Sequence, residues 1–430
     1  MSTGSLQYTT IGDLIRHHRC ALNLTQQQLA ELSSVEKSAI SRIESGETKR
    51  PDFKTIQAIS NVLNISFYEL IKHYVKVDDR PDVLKGLLLQ AVAASDKKAI
   101  QTLSLSFLES QREESYDLAE KLYFTAMEVQ DEMGKLEITK AIINYSKSRG
   151  IQQFYAKGLM QKYFIERDDF RNLETIYRAH IHILEYADFL PHEEKLTLYY
   201  RAGVHAYSLM LFQDCINLCK NVVHNDTSKS QIKSDALYLL CISSFDINNY
   251  EKGQFFLEQY AKFDHISGVS EKVKIVTAIA NGKIGKVDLA IVQLNDLMSK
   301  TSMRNSTTVI SQLIELYLQK NHITAAEHLL SYETAFREMV ITSPVKQAEL
   351  SKYYRLKGLV LLAKVNIDDA FDSLLYSALE YAKIKRYNEV FENFSIITKQ
   401  LLKNKSLVSD ETIQKIDAVF DELKRKKEEG

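Results

Sequence analysis

The chain has 430 residues, with 55 Lys and Arg against 56 Asp and Glu, and 45% of its residues are hydrophobic. That length is too great for one small domain, so two or three are expected, and the apolar content supports folded cores throughout. No apolar run approaches the roughly 18 residues of a membrane span, and the opening MSTGSLQYTT lacks the charge and apolar core of a signal peptide, so a cytoplasmic chain is expected. Only 14 Gly and 4 Pro occur, few breakers for this length, and helix is expected nearly everywhere: the fold class is all-α. Cys20, Cys215, Cys219 and Cys241 form no CxxC pair and have no His or Cys partner at a zinc-ligand spacing. Buried reduced thiols are expected, with no metal.

In chain order, IGDLIRHHRCALN forms a first helix. In NLTQQQLAELSSVE, Thr25 and Gln28 make a capping box of the T-x-x-Q form that starts a brief second helix, which Ser33 and Ser34 end. The third begins near Glu36. Along KSAISRIESGETKRP, Lys37, Ser38, Ser41, Arg42 and Ser45 share one face at helical period, while Ala39, Ile40 and Ile43 lie on the other. Two short helices joined by a tight polar turn are a helix-turn-helix unit, whose second helix enters the DNA major groove. Gly46 suits the left-handed position that closes this helix, and Pro51 prevents its continuation. DFKTIQAISNVLN supplies a fourth helix with Phe53, Ile56, Ile59 and Leu63 inward, and Ser66 with Glu69 caps a fifth.

Five short helices with these caps resemble the lambda-repressor-like (XRE, Cro/C1-type) DNA-binding domain, over roughly Ile11 to Tyr74. The resemblance implies that Gln26 contacts the DNA backbone or an outer base, and that Lys37, Ser38 and Arg42 read bases, with Ser41 on the same face. Lys49 and Arg50 would hold phosphates, and Arg19 and Glu44 would form a buried salt bridge between helices one and three. Glu36 departs from the commonest pattern, and its carboxylate can repel phosphate or accept from cytosine N4. From Arg16 to Lys54, seven cations face five anions, a net of +2. One such domain binds duplex DNA weakly, so a pair on a two-part operator is expected.

Pro81 lies in the polar stretch VDDRPD, and the domain boundary is expected there: a DNA-binding domain over 1–76, a linker over 77–82 and a repeat domain over 83–430. Removal of 1–76 is expected to leave that repeat domain folded and self-associating. In it one theme returns, a polar turn, an aromatic or β-branched residue, then a helix with a small residue three positions on. It appears at Phe170, Phe212, Tyr250, Val287, Ile323 and Ile367, at intervals of 42, 38, 37, 36 and 44, with a half-step to Tyr387. Two helices per recurrence at this period is the signature of a helical-hairpin solenoid. It resembles tetratricopeptide (TPR) repeats, a right-handed solenoid whose groove is lined by first helices. Unrelated stacked helices are the alternative. No paired carboxylates, phosphate loop or nucleophile motif stands out, and His180, His182 and His205 are scattered, so neither an enzyme nor a cofactor is expected.

An XRE domain followed by a TPR array resembles the layout of the RRNPP family of peptide-pheromone receptors, the PlcR- and NprR-like regulators. This implies a quorum-sensing transcription regulator, homodimeric through its TPR helices, that binds operator DNA and a short signalling peptide, the peptide switching DNA binding or oligomeric state. Counting back from each turn residue in the TPR register selects groove positions: Lys162; Tyr200, Arg201 and Tyr207; Asp235 and Tyr238; Ser311, Gln312 and Glu315; Lys352 and Arg355. Two other readings stand beside this one: a TPR inhibitor that sequesters a phosphorelay response regulator, and a peptide-independent dimeric repressor.

Overall fold

The computed structural model describes residues 10–167, 169–170, 172–298, 303–403 and 409–428, without the side chains of 303–306 and 426–428. The opening decapeptide short of Thr10, and Asp168 and Arg171 of the first turn motif, lie outside the described residues. Among these residues the structure is all helix and turn, with no strand. It divides into two compact units, one of residues 1–165 with 186–190, the other of 166–185 with 191–430.

The first unit opens with α1 (Ile11–Ala21), α2 (Gln26–Ser33), α3 (Lys37–Glu44), α4 (Phe53–Val62) and α5 (Phe67–Tyr74). Both halves of the Thr25 box form: the Gln28 amide donates to Thr25 Oγ1 at 3.2 Å, and the Thr25 amide to Gln28 Oε1 at 2.9 Å. A second box, Thr10 with Asp13, starts α1. The cap at Ser66 is only half a box, because Glu69 donates its amide to Ser66 Oγ while its carboxylate lies 3.9 Å from His18 Nε2. Leu14, Ile15, Leu29, Ile40, Ile56 and Ile59 are fully buried, which fixes the five helices around one core. A Cβ on Gly12 would stand 2.3 Å from the Ile43 carbonyl oxygen, so α1 and α3 approach as closely as they do only with glycine there.

That core does not stop at the expected linker. α6 (Pro81–Ala93), α7 (Lys97–Leu108), α8 (Ser115–Glu128), α9 (Glu132–Arg149) and α10 (Gln152–Glu166) follow, and a single apolar cluster runs from Ile11 to Phe154. Residues 77–82 are tied down. Asp78 is 1% exposed and accepts from Arg80 Nε at 2.9 Å, Ser110 donates to the Asp79 carbonyl at 2.7 Å, and Arg112 pairs with the Asp79 carboxylate at 3.0 Å. Pro81 is the first residue of α6, where its missing N–H costs nothing.

The second unit continues with α11 (Leu173–His180), the start of a 3-10 segment (Ile181–Phe189) whose residues from Tyr186 belong to the first unit, α12 (His192–Ser208), α13 (Phe212–Asn225), α14 (Gln231–Asp246), α15 (Tyr250–Ala261), α16 (Val269–Lys283) and α17 (Val287–Met298). After these come α18 (Met303–Gln319), α19 (Ile323–His328), a 3-10 turn, α20 (Glu333–Arg337), α21 (Pro344–Ala363), α22 (Ile367–Ala382), α23 (Tyr387–Lys403) and α24 (Asp410–Glu428). Phe212, Tyr250, Val287, Ile323 and Ile367 are each the first residue of a second helix, and Tyr387, the half-step, is the first residue of α23, which follows the second helix α22. Two positions earlier stands a left-handed residue every time: Met210, Asn248, Gly285, Asn321, Val365 and Lys385. This residue ends the preceding helix and reverses the chain in two or three steps. The small residue of each turn packs inward, with Cys215, Ala290, Ala326 and Ala370 all 0% exposed. The chain is thus a helix-turn-helix domain followed by TPR-like helical hairpins. Phe170 is the exception: it lies in a non-helical stretch ahead of α11.

Val365 is the strained member of the set, a β-branched residue at φ 61° and 66% exposed. Val365→Gly removes the clash of Cβ with its own carbonyl and sacrifices no buried contact. It is expected to stabilise the second unit by about 1 kcal/mol, read as a higher denaturant midpoint; an unchanged or lower midpoint would show the turn is not strained.

The cysteine expectation needs one correction. Cys215, Cys219 and Cys241 are buried free thiols, but Cys20, on the outer side of α1, is exposed. No helix among the described residues is long and apolar enough to cross a membrane, and no group of His, Cys, Asp or Glu among them could hold a metal.

Candidate nucleic-acid interface and helical groove

α3 is short, and its burial splits by face. Ile40 and Ile43 are 0% and 4% exposed, whereas Lys37, Ser38, Ser41 and Arg42 are all exposed. Lys49 and Arg50 are exposed in the loop that follows, beyond Gly46 at φ 76°. The Thr48 amide donates to the Arg42 carbonyl at 3.1 Å and folds this loop back onto the end of α3. None of these four cations makes an ion pair within the described residues, so all four charges are open to solvent or a polyanion. The Ser38 hydroxyl donates to the Glu36 carboxylate at 3.2 Å, which fixes that carboxylate at the front of α3.

Behind this face sits a polar cluster. Arg19 Nε and Nη2 donate to the two Glu44 oxygens at 2.7 and 2.9 Å, with side chains 13% and 4% exposed, and Arg19 Nη1 donates to the Leu24 carbonyl at 2.7 Å. Gln26 Nε2 donates to Glu44 Oε2 at 2.9 Å, so the residue expected at DNA is half-buried and oriented by Glu44, with its carbonyl oxygen and second amide hydrogen uncommitted. Burial pushes the Glu44 carboxyl up, but hydrogen bonds from Arg19 and Gln26 outweigh it and hold it below its ordinary 4.5. A carboxyl lowered by folding adds stability above its unfolded pKa and loses it as pH falls through the folded value. Glu44→Ala leaves a half-buried guanidinium without its partner and is expected to cost roughly 3 kcal/mol at pH 7. The deficit relative to wild type should shrink below pH 4.5. Urea titrations of both proteins at pH 7 and pH 3.5 check this; an equal deficit at both would separate Glu44 ionisation from stability.

In the second unit, the first helices α14, α16 and α18 line a groove of about 610 Å³ that also takes Tyr207 from α12 and Lys352 from α21. Tyr207, Tyr238, Gln312, Glu315 and Lys352 of the expected peptide positions lie on it. The Tyr207 hydroxyl donates to Asp246 Oδ2 at 3.2 Å, Lys283 pairs with Asp246 at 2.8 Å, and Lys352 pairs with Glu315 at 2.7 Å. Burial pushes the Tyr238 phenol up to about 12, and burial followed by the Asp246 charge raises Tyr207 well above its usual value. Both stay neutral hydroxyls at any physiological pH.

The other expected positions are placed differently. Ser311 is 2% exposed and does not line the groove: it faces the interior of the helix stack, a correction to its assignment. Arg355 is paired with Glu392. Tyr200 is half-buried, its phenol pushed up to about 12 by burial and then by Asp235. Arg201 is exposed on α12, its carbonyl accepting from Arg167 at 3.4 Å. Lys162 belongs to the first unit, on α10. The groove's apolar floor, Ile242, Ile275, Ile279 and Leu316, was not expected. A signal for it existed, since the offset that leads from Ile323 to Gln312 and Glu315 leads from Val287 to Val276 and Ile279.

Residues 15–70 match the family model described as helix-turn-helix (HTH_3). The N-terminal domain of the chain is a helix-turn-helix domain of that family. No curated protein matches. Among solved structures, a tetratricopeptide repeat protein from Parabacteroides merdae is 13% identical over 74% of this chain and 98% of its own, with a TM-score of 0.42. A Rap protein complexed with competence and sporulation factor is 12% identical over 77% and 100%, at 0.42. Bacillus thuringiensis PlcR, in complex with the peptide PapR7 and DNA, is 15% identical over 76% and 96%, at 0.29. With TM-scores this low the likenesses carry no weight of their own, and the fold rests on the helices described above.

Proposed function

We propose that this chain is a transcription regulator of the RRNPP type, not an enzyme, in which residues 1–76 read operator DNA and residues 83–430 bind a signalling peptide and hold a homodimer. The observation that carries it is the face of α3: Lys37, Ser38, Ser41 and Arg42 exposed on a helix whose opposite side is locked into a helix-turn-helix core. Arg42 and Lys37 donate to guanine O6 and N7, Ser38 and Ser41 give shorter contacts, and Gln26 offers its carbonyl oxygen and second amide hydrogen. Lys49 and Arg50 hold phosphates and set the register. With a net charge of only +2 over 16–54, affinity comes from two domains on two half-sites.

The groove takes the peptide in an extended form. Such a ligand brings unpaired amides and carbonyls that need partners once water is excluded. Gln312 makes no side-chain hydrogen bond among the described residues and supplies both a donor and an acceptor; Tyr207, whose hydroxyl is held by Asp246, and Tyr238 line the same groove. Selection of duplex DNA from a random pool by the purified protein tests the reading. Enrichment of a two-part motif supports it; recovery of unenriched sequence at every salt concentration removes the DNA-reading role.

A further inference from the structure

The groove holds four charged side chains, Asp246, Lys283, Glu315 and Lys352, and they cancel. They are also closed pairwise between successive hairpins: Asp246 with Lys283 at 2.8 Å and Glu315 with Lys352 at 2.7 Å. Each pair spans 37 residues, one repeat, so the charges staple neighbouring hairpins together. A ligand carboxylate at Lys283 competes with Asp246, which also receives the Tyr207 hydroxyl. A ligand ammonium at Glu315 competes with Lys352. Because each charge already has a partner and is partly exposed, a ligand charge gains little there. Between the staples the lining is mixed: Ile242, Ile275, Ile279 and Leu316 give it an apolar part, beside the polar Thr308 and Gln312.

From this we infer that the groove selects a peptide whose central residues are uncharged and include at least one bulky aliphatic or aromatic side chain. The inference rests on the reading of this groove as the peptide site. The apolar side chain fills the trench between the two staples, Gln312 pairs with the peptide main chain, and the ligand's charges stay at its ends in water. Recognition is then by burial of apolar surface, which ionic strength hardly touches, and not by charge, which salt screens.

The test is affinity selection by the full-length protein from a synthetic hexapeptide pool, varied among Leu, Ile, Phe, Ser, Asp and Lys, with free and with capped ends, read by mass spectrometry. The expected result is enrichment of peptides with Leu, Ile or Phe and no charge at the central positions. Their affinity should change less than about twofold between 50 and 500 mM salt. A central Leu→Asp change in the peptide should weaken binding about 30-fold. Ile279→Asp should weaken it at least tenfold, and Gln312→Ala, which alters no core side chain, at least threefold. If peptides with central Asp or Lys are enriched and lost in Gln312→Ala, the groove remains the peptide site and the apolar selection is wrong. If nothing is enriched, or the enriched peptides bind both variants as well as wild type, the groove reading and the inference built on it fall together.

Discussion

Arg42→Ala is expected to abolish sequence-specific DNA binding while leaving the fold and any self-association unchanged. Arg42 is exposed, makes no ion pair among the described residues, and sits on α3 between Ile40 and Ile43, which hold that helix in the core. Truncating it therefore removes no packing. One good bidentate base contact is worth roughly 1–3 kcal/mol, and two domains on one operator double the loss to roughly 2–6 kcal/mol. Lys49→Ala provides the contrast. It should weaken binding to all sequences alike and reduce the slope of affinity against salt by about one ion per domain. Gel-shift titrations of selected and scrambled duplexes at three salt concentrations separate the two. An unchanged ratio of specific to nonspecific affinity in Arg42→Ala would take this residue out of base reading; an unaltered salt slope in Lys49→Ala would take that one away from phosphate.

Deletion of residues 1–76 is expected to unfold the first unit and spare the second. Here the structure reverses the expectation drawn from sequence. Leu70, Ile71 and Tyr74 of α5 are at most 2% exposed, and they belong to the same apolar cluster as Leu84, Leu88, Ile100 and Leu103 of α6 and α7. Cutting after Lys76 leaves those side chains bare, and each large aliphatic side chain returned to water costs about 1.5–3 kcal/mol, enough in sum to exceed the stability of a domain. Calorimetry on the fragment should show a single transition from the second unit, with 8-anilinonaphthalene sulfonate bound to the rest. Two intact transitions would show that α6–α10 fold without the helix-turn-helix domain, as an independent repeat domain starting at 83 requires.

What could be read from the sequence follows how local each signal is. The Thr25–Gln28 box, Gly46, the Arg19–Glu44 pair and the α3 face were all legible, because each depends on spacings within one or two turns or on a well-defined family pattern. The second-helix starts from Phe212 to Ile367 were legible for the same reason: a left-handed residue two positions earlier and a small residue three positions later are a local grammar. Phe170 was the weakest match to that grammar, since Leu173 three positions on is not small; it lies ahead of α11, not at its start, and Asp168, two positions before it, is outside the described residues. The end of the first unit was not legible at 77–82, where the sequence is polar. Asp78 is buried and bound by Arg80, and Asp79 pairs with Arg112 at the surface, so the stretch is polar because it is ion-paired and not because the chain is loose. The groove was half legible. Counting from turn residues found polar positions, but the apolar floor on α16 looks like ordinary core by type, and Ser311 looks like surface by type; only three-dimensional packing reverses the two.

The measurement that bears most directly on the central claim is an operator titration with and without peptide. Duplex DNA selected from a random pool would be titrated with the full-length protein alone, and again with a saturating amount of the tightest peptide from the groove selection. A peptide-switched regulator requires the two sites to share a coupling free energy, typically 1–3 kcal/mol, so operator affinity should change by at least about fivefold in either direction. In a Gln312→Ala protein the same shift should need a higher peptide concentration. Operator affinity that stays the same at saturating peptide would contradict the account, leaving a DNA-binding domain and a groove with no linkage between them.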